Sequence, residues 1–139
     1  MAGPVEITER FSGGGPEAEL GAGVSAALDR AAWTEMESRL PDGHPARGKA
    51  GPVDFTRSAL LFVRLGADSN TELHVESAER SGQRLTLRLT RRQSVPDLLA
   101  VVPAQAWLLL EVPQKALQGR PALSVLVNGA PWSAQMEYL

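Results

Sequence analysis

The spacing of hydrophobic residues in the first third of the chain is helical. Trp33, Met36 and Leu40 recur at the interval that places side chains on one face of an α-helix, and most residues between them are polar. Asp29 stands just before this stretch, where its carboxylate would cap the free backbone N–H groups of a first turn. The pattern therefore predicts one helix over about residues 30–39.

Continuous apolar runs further along the chain, at residues 59–63, 98–102 and 107–112, predict strands that are buried on both faces.

A loosely alternating stretch near the start, residues 5–11, predicts a short edge strand. The glycines of the next segment, 12–16, predict a mobile loop, because glycine places little restraint on the backbone.

Strict alternation of polar and apolar residues in two neighbouring segments, 72–77 and 84–90, predicts antiparallel strands with one face in water. A three-residue loop at 80–82 would pair Val75 with Leu87 and place the apolar side chains on one face. A two-residue loop over the serine and glycine would instead set a glutamate opposite Leu87, and a slip of one residue exposes a whole hydrophobic set. We therefore predict the three-residue loop.

A second hairpin is predicted near the C-terminus. Residues 123–127 are mostly apolar and lead into Asn128-Gly129, the dipeptide favoured in two-residue hairpin turns. The patterns together predict a single α+β domain over residues 1–139, a mostly antiparallel β sandwich or half-open barrel with one helix packed on it. The strand after the turn is expected to present one alternating face, made of Trp132, Ala134, Met136 and Tyr138.

Composition narrows the classes of function. The length of 139 residues suits one domain, and the absence of cysteine excludes disulfides, thiol nucleophiles and thiolate metal sites. A net charge of -2 lacks the basic excess of nucleic-acid-binding proteins, so we expect no nucleic-acid partner. No apolar run approaches about 18 residues, so we expect no transmembrane segment. The first residues also lack the pattern of a secretory signal.

One group of residues has the pattern of a reactive or metal-binding site. Glu72, His74 and Glu76 project from the same face of a strand, where they could ligate a divalent metal or pair an imidazole with a carboxylate. The alternative is an ordinary solvated face. We favour it because the predicted register sets Arg88 opposite His74, and cations weaken a metal site. With no Gly-x-Ser-x-Gly motif either, we predict no catalytic residue, metal or cofactor, and a protein that is not an enzyme.

Arginines are concentrated on the predicted hairpin. Arg84 and Arg88 would share its solvent face, and two more arginines follow at its end, which gives a cationic stripe suited to an acidic protein segment. The alternative is that the arginines only keep a sheet face soluble and blunt its edge. The loop 66–71 is a second candidate, since loops held by rigid strands are common recognition sites. The predicted binding residues are Asp68, Ser69, Asn70, Arg84 and Arg88.

In their order and spacing, several segments resemble the protease complex subunit PrcB family of small bacterial proteins. The resemblance covers about residues 10–115, and residues 120–139 extend past it as a C-terminal hairpin. After its glycine-ended strand the family usually shows a Thr-Gly-Gly-Tyr-like element, which segment 66–72 of this chain lacks. The resembling segments are Arg10-Phe11-Ser12-Gly13, Ala32-Trp33, Val53-Asp54-Phe55, Leu60–Gly66, Val75-Glu76-Ser77, Leu85-Thr86-Leu87 and Trp107–Lys115.

The resemblance implies a non-enzymatic, β-rich binding domain that is exported or lipid-anchored, in the periplasm or cell envelope. The family's namesake stabilises a protease complex. We therefore expect a non-catalytic protein-binding domain, an accessory or stabilising subunit of an extracytoplasmic protein or protease complex, with a protease as one candidate partner. The alternatives are a small secreted hydrolase or a ligand-binding protein. A chain without a signal fits either a cytosolic protein or one whose signal lies outside this sequence.

Overall fold

The structure, a computed structural model, describes residues 2–16, 23–40, 46–67, 71–93, 104–132 and 136–139. Within them it has one α-helix, α1 (Arg30–Ser38), and a short 3₁₀ helix (Gln114–Leu117). The strands are β1 (Ala2–Pro4), β2 (Thr8–Pro16), β3 (Gly23–Ala27), β4 (Ser58–Ala67), β5 (Thr71–Ser81), β6 (Arg84–Gln93), β7 (Ala104–Pro113), β8 (Ala122–Val127), β9 (Ala130–Trp132) and β10 (Met136–Tyr138).

The strands form two five-stranded sheets. The outer sheet has the order β1-β5-β6-β8-β9, and the central sheet has the order β10-β3-β4-β7-β2. Neighbouring strands are antiparallel in both sheets, apart from the parallel pairs β6 with β8 and β10 with β3. The prediction of a mostly antiparallel α+β sandwich with one helix is confirmed.

The central sheet is buried on both faces. One face packs against the outer sheet, where Leu61 and Leu108 share a hydrophobic cluster with Leu87. The other face packs against α1, where the ring of Trp33 meets that of Phe62 edge-on with centroids 6.3 Å apart. Burial on both sides explains why residues 59–63 and 107–110 read as continuous apolar runs.

Helix α1 confirms the predicted helical segment. The Oδ1 atom of Asp29 accepts a hydrogen bond of 2.7 Å from the backbone N–H of Ala32, so Asp29 is the N-cap. Trp33 and Met36 are buried against the central sheet, and Leu40 is buried just beyond the helix end. The apolar stripe read from the sequence is therefore the packed face of the helix.

One charged side chain is buried on this helix-covered face. Arg64 is 5% exposed, and its Nη1 atom donates to the hydroxyl of Ser25 at 2.9 Å. The guanidinium lies 5.6 Å from the ring centroid of Phe62. Burial lowers the pKa of Arg64, and the nearby carboxylate of Glu137 opposes that shift. Arg64 is thus part of the interior and does not contribute to the cationic surface.

The predicted register of the β5–β6 hairpin is wrong. Ser81 pairs with Arg84 across a two-residue turn of Gly82 and Gln83, and Val75 pairs with Leu89 and not with Leu87. Gly82 has a φ of 57°, and a positive φ at the first central position alone is the pattern of a type II′ turn. The three-residue loop would hold only for a strand that alternates without interruption.

A β-bulge at Glu76 breaks that alternation. The register shifts between Val75 and Ser77, which leaves Glu76 and Ser77 both exposed. The next residue, Ala78, is 4% exposed and lies opposite Leu87 in the core. The extra residue thus reverses which side chains of β5 face the core beyond the bulge. With the turn at Gly82 and Gln83, apolar residues of β5 therefore still lie opposite apolar residues of β6.

Two other sequence predictions are corrected. Segment 12–16, predicted as a loop, belongs to β2, which pairs with β7 from Thr8 to Pro16 at the edge of the central sheet. Trp132 and Met136 do not share one strand face, because β9 lies in the outer sheet and β10 in the central sheet. The turn at Asn128-Gly129 is confirmed, with both residues at positive φ. The predicted strand at 98–102 lies outside the described residues.

The side chain of Gln114 joins three segments at one end of the sandwich. Its Nε2 atom lies 2.7 Å from the carbonyl oxygen of Leu28, 2.9 Å from that of Phe55 and 2.8 Å from that of Ser58. These carbonyls belong to the start of the helical segment, a tight turn and the first residue of β4. One amide group therefore holds the helix layer against the central sheet.

We expect Gln114→Glu to destabilise the fold by about 2–3 kcal/mol, because a carboxylate would replace the donor that faces three carbonyl oxygens. Urea unfolding followed by tryptophan fluorescence measures this, since Trp33 and Trp107 are buried. The matched control is Gln118→Glu, at an exposed residue of the same turn, which should stay within about 0.5 kcal/mol of the wild type. Equal unfolding midpoints for both variants would contradict the assigned role of Gln114.

Candidate functional site

The structure bears on two of the five predicted binding residues. Asp68, Ser69 and Asn70 lie outside the described residues, so their role stays a prediction. Arg84 and Arg88 are exposed on β6, on the solvent side of the outer sheet. They point outward because the leucines that alternate with them, Leu85, Leu87 and Leu89, are buried between the sheets.

Arg84, Arg88 and Arg92 recur at every fourth residue of β6, about 13 Å apart along the strand. We call these three residues the arginine face. All three are exposed, and none makes an ion pair or hydrogen bond with a side chain that the structure describes. Their guanidinium groups are therefore available to a partner without first breaking an internal contact.

Other residues of the outer sheet border the arginine face. On the β5 side, Ser77 lies opposite Arg88, while Glu79 lies opposite Thr86 between the first two arginines. On the β8 side, Leu126 lies opposite Arg88. Glu76 and Glu79 are exposed on the same side of the sheet, so the cationic line has an acidic border along β5.

The edges of the outer sheet are poorly suited to pairing with another strand. Each edge strand contains a proline, Pro4 in β1 and Pro131 in β9. Proline has no N–H to donate, and its presence on an edge discourages the addition of a strand from another chain. A protein that binds the outer sheet would therefore contact its face and not pair with its edge strands.

His74 takes part in a contact between the two sheets. Its Nδ1 atom lies 3.1 Å from Oε2 of Glu9 on β2, and Thr90, not the predicted Arg88, lies opposite it on β6. Oε1 of Glu9 also accepts a hydrogen bond of 3.2 Å from the N–H of Val75. Among the described residues, no group of three side chains has metal-binding character. The carboxylate beside His74 thus serves the backbone of β5.

Ser12 completes this contact. Its hydroxyl donates a 2.6 Å hydrogen bond to the carbonyl oxygen of Leu73, on the part of β5 that lies beyond the end of β1. Together with Glu9, Ser12 satisfies two backbone groups that would otherwise lack a strand partner. The segment predicted as a glycine-rich loop therefore helps to seal the edge of β5.

A cleft at one end of the sandwich brings together cations that are distant in the sequence. It has a volume of about 810 Å³, and we call it the basic cleft. Sequence reasoning missed it because its cations come from separate segments and show no common spacing. The residues that line it include Gly3, Val5, Glu6, Arg57, Arg80 and Lys115.

Arg80 is fixed in this cleft by backbone oxygens. Its Nε atom donates to the carbonyl of Gly82 at 3.0 Å, and Nη1 donates to the carbonyls of Lys115 at 3.1 Å and Ala116 at 3.2 Å. Nη2 donates to Oε1 of Gln83 at 3.1 Å. No described carboxylate pairs with Arg80, so its charge is held in place without being neutralised.

We expect Arg80→Met to lower the free energy of unfolding by about 2 kcal/mol, because it removes the donors that join the β5–β6 turn to the 3₁₀ helix. The control is Arg84→Met on the same hairpin, which removes an exposed cation with no ion pair or hydrogen bond to a described residue and should cost no more than about 0.5 kcal/mol. Chemical denaturation of the two variants side by side tests this. Loss of stability in Arg84→Met alone would refute the assignment.

Comparisons with known proteins do not identify a relative. No family model matches the chain. No curated protein and no solved structure matches it either. The resemblance to the PrcB family therefore stays a prediction from the residues that carry it. Among the described residues, no helix has the length and apolar character needed to cross a membrane.

Proposed function

We propose that this chain is a non-catalytic protein-binding domain, an accessory or stabilising subunit of another protein, and that the arginine face receives an acidic segment of that partner. The observation that supports this most directly is the exposure of Arg84 and Arg88, neither of which has a partner among the described residues. They lie on the outer face of the outer sheet, where no other described element packs.

The chemistry of guanidinium groups suits this role. Each presents a planar fork of N–H donors that matches the two oxygens of a carboxylate. Spaced about 13 Å apart on a strand, they fit an extended segment with acidic residues at about every fourth position. Because the groups are solvent-exposed, they contribute more to the rate and selectivity of association than to raw affinity.

The class of partner follows from the resemblance. A subunit of this kind would serve an extracytoplasmic protein or protease complex, in the periplasm or cell envelope. The non-catalytic character rests on the sequence, which has no cysteine and no nucleophile motif. Glu79, placed between two of the arginines, would repel a segment whose acidic residues are out of register with them.

A charge-reversal pair tests the proposal. The probe is a fluorescein-labelled peptide of 12 residues that contains Asp and Ser, and its binding at low salt is measured by fluorescence anisotropy. We expect Arg84→Glu combined with Arg88→Glu to weaken the binding of this peptide about tenfold. The matched variant, Glu76→Lys combined with Glu79→Lys, changes the charge of the same face in the other direction and should tighten binding. Thermal unfolding of both variants checks that the fold is kept.

The same variants are then used as baits for capture from an extract of the source organism. A captured protein that is lost with the Arg84→Glu, Arg88→Glu variant and retained by the Glu76→Lys, Glu79→Lys variant is the expected partner. If peptide binding at low salt is identical for the wild type and the arginine variant, the face only keeps the sheet soluble. Unfolding of the arginine variant would instead show that these side chains do not lie in solvent.

A further inference from the structure

We propose that the basic cleft is a binding site for a carboxylate carried on an apolar chain. The cleft shares none of its lining residues with the arginine face, so this inference does not depend on the proposed function. Two features of the described residues support it: an excess of positive charge and an apolar lining beside that charge. A glycine in the lining, Gly3, provides the position for a steric test.

The charge of the cleft is unbalanced. Arg57, Arg80 and Lys115 line it, whereas Glu6 is the one acidic residue among its lining residues. Lys115 is exposed, and its ammonium group has no contact with a described residue. An anion that enters the cleft therefore meets an exposed ammonium group that has no described partner to leave.

The other two cations are held differently. The Arg80 guanidinium donates to backbone and amide oxygens alone, and one N–H of Nη2 is left over. The side chain of Arg57 is 86% exposed, and its Nε atom lies 3.9 Å from Oδ2 of Asp54.

Asp54 contacts Arg57 only at long range, and its other carboxylate oxygen is engaged in its own turn. Its Oδ1 atom accepts hydrogen bonds from the hydroxyl of Thr56 at 2.6 Å and from the N–H of Thr56 at 3.0 Å. These bonds lower the pKa of Asp54, and the charge of Arg57 adds to the shift, so the carboxylate stays ionised and offsets part of the charge of Arg57. At 3.9 Å, the ion pair of Arg57 with Asp54 lies near the distance limit for such a contact.

Apolar groups lie beside these cations. Val5 packs against the hydrophobic core from the β1 side, and Ala116, in the 3₁₀ helix, is 4% exposed. Pro4 and Pro113 also line the cleft. A volume of about 810 Å³ is within the range of about 300–1,000 Å³ that is typical of small-ligand sites. The combination suits a ligand with an anionic end and an apolar body, more than a compact anion such as phosphate.

The wall at Gly3 provides a way to close the cleft without disturbing the core. A Cβ atom added at Gly3 would have no heavy atom within 4 Å, and the backbone there has no positive φ. A side chain can therefore start at this position without a clash at its Cβ atom, at a residue that lines the cleft. Gly3→Trp is thus a steric test that leaves every charge of the cleft unchanged.

Isothermal titration with octanoate, octanamide and inorganic phosphate tests the proposal. We expect octanoate to bind the wild-type chain at millimolar concentration, and octanamide and phosphate to bind at least tenfold more weakly. Lys115→Glu and Gly3→Trp should each reduce octanoate binding at least tenfold. The control is Lys49→Glu, an exposed lysine outside the cleft, which should bind octanoate as the wild type does.

A second pair of probes distinguishes the two sources of such a ligand. Acetyl-Leu-Val-Phe with a free carboxylate represents the end of a polypeptide, and its amidated form is the matched control. Preference for the free peptide over octanoate assigns the cleft to a chain terminus, and the reverse assigns it to a fatty-acid-like molecule. Both results support the proposal.

Three results would overturn it. Octanamide that binds as tightly as octanoate would show that the carboxylate is not recognised. Phosphate that binds as tightly would show that the apolar part is not recognised. No binding of octanoate or of the free peptide would show that the cleft is not a ligand site. Thermal unfolding of Lys115→Glu and Gly3→Trp accompanies the titrations, and the wild-type comparison of probes stands even if one variant is unstable.

Discussion

Burial of the central sheet on both faces is the constraint on which the rest of the structure depends. Residues such as Leu61 and Leu108 face the outer sheet, while Phe62 and Trp107 face helix α1. Strands of this kind cannot carry solvent-exposed polar chemistry, and the one buried guanidinium there, that of Arg64, is held by Ser25 and the ring of Phe62. Among the described residues, the buried strands of the central sheet therefore leave exposed polar side chains mainly to the outer sheet, the helix and the ends of the sandwich.

The chain directly after β7 links the layers that this arrangement creates. Gln114 holds the carbonyls of three segments on the helix side, whereas Arg80 reaches across from the outer sheet to the carbonyls of Lys115 and Ala116. A 3₁₀ helix of four residues is thus anchored from both directions. Because Arg80 also lines the basic cleft, the contacts that stabilise this end of the fold also position its guanidinium there.

The arginine face and the basic cleft offer anions two different environments. Arg84 and Arg88 stand on an exposed sheet face, where salt would screen them and where a partner of the proposed kind would gain speed and selectivity more than affinity. The cations of the cleft stand beside apolar groups, where removal of water strengthens each interaction with a ligand. Of these cations, Arg80 is held in place by hydrogen bonds to backbone and amide oxygens, whereas the others extend into solvent from strands and turns.

Local patterns in the sequence determined the helix with its Asp29 cap, the alternation of β6 and the turn at Asn128-Gly129, because each depends on neighbours within a few residues. The solvent side of Arg84 and Arg88 followed from that same alternation. The register of β5 did not follow, because the bulge at Glu76 is stabilised by Ala78 entering a core that other strands build. Only the tertiary structure could bring Gly3, Arg57, Arg80 and Lys115 into one cleft, since the contacts that gather them join segments with no shared local signal.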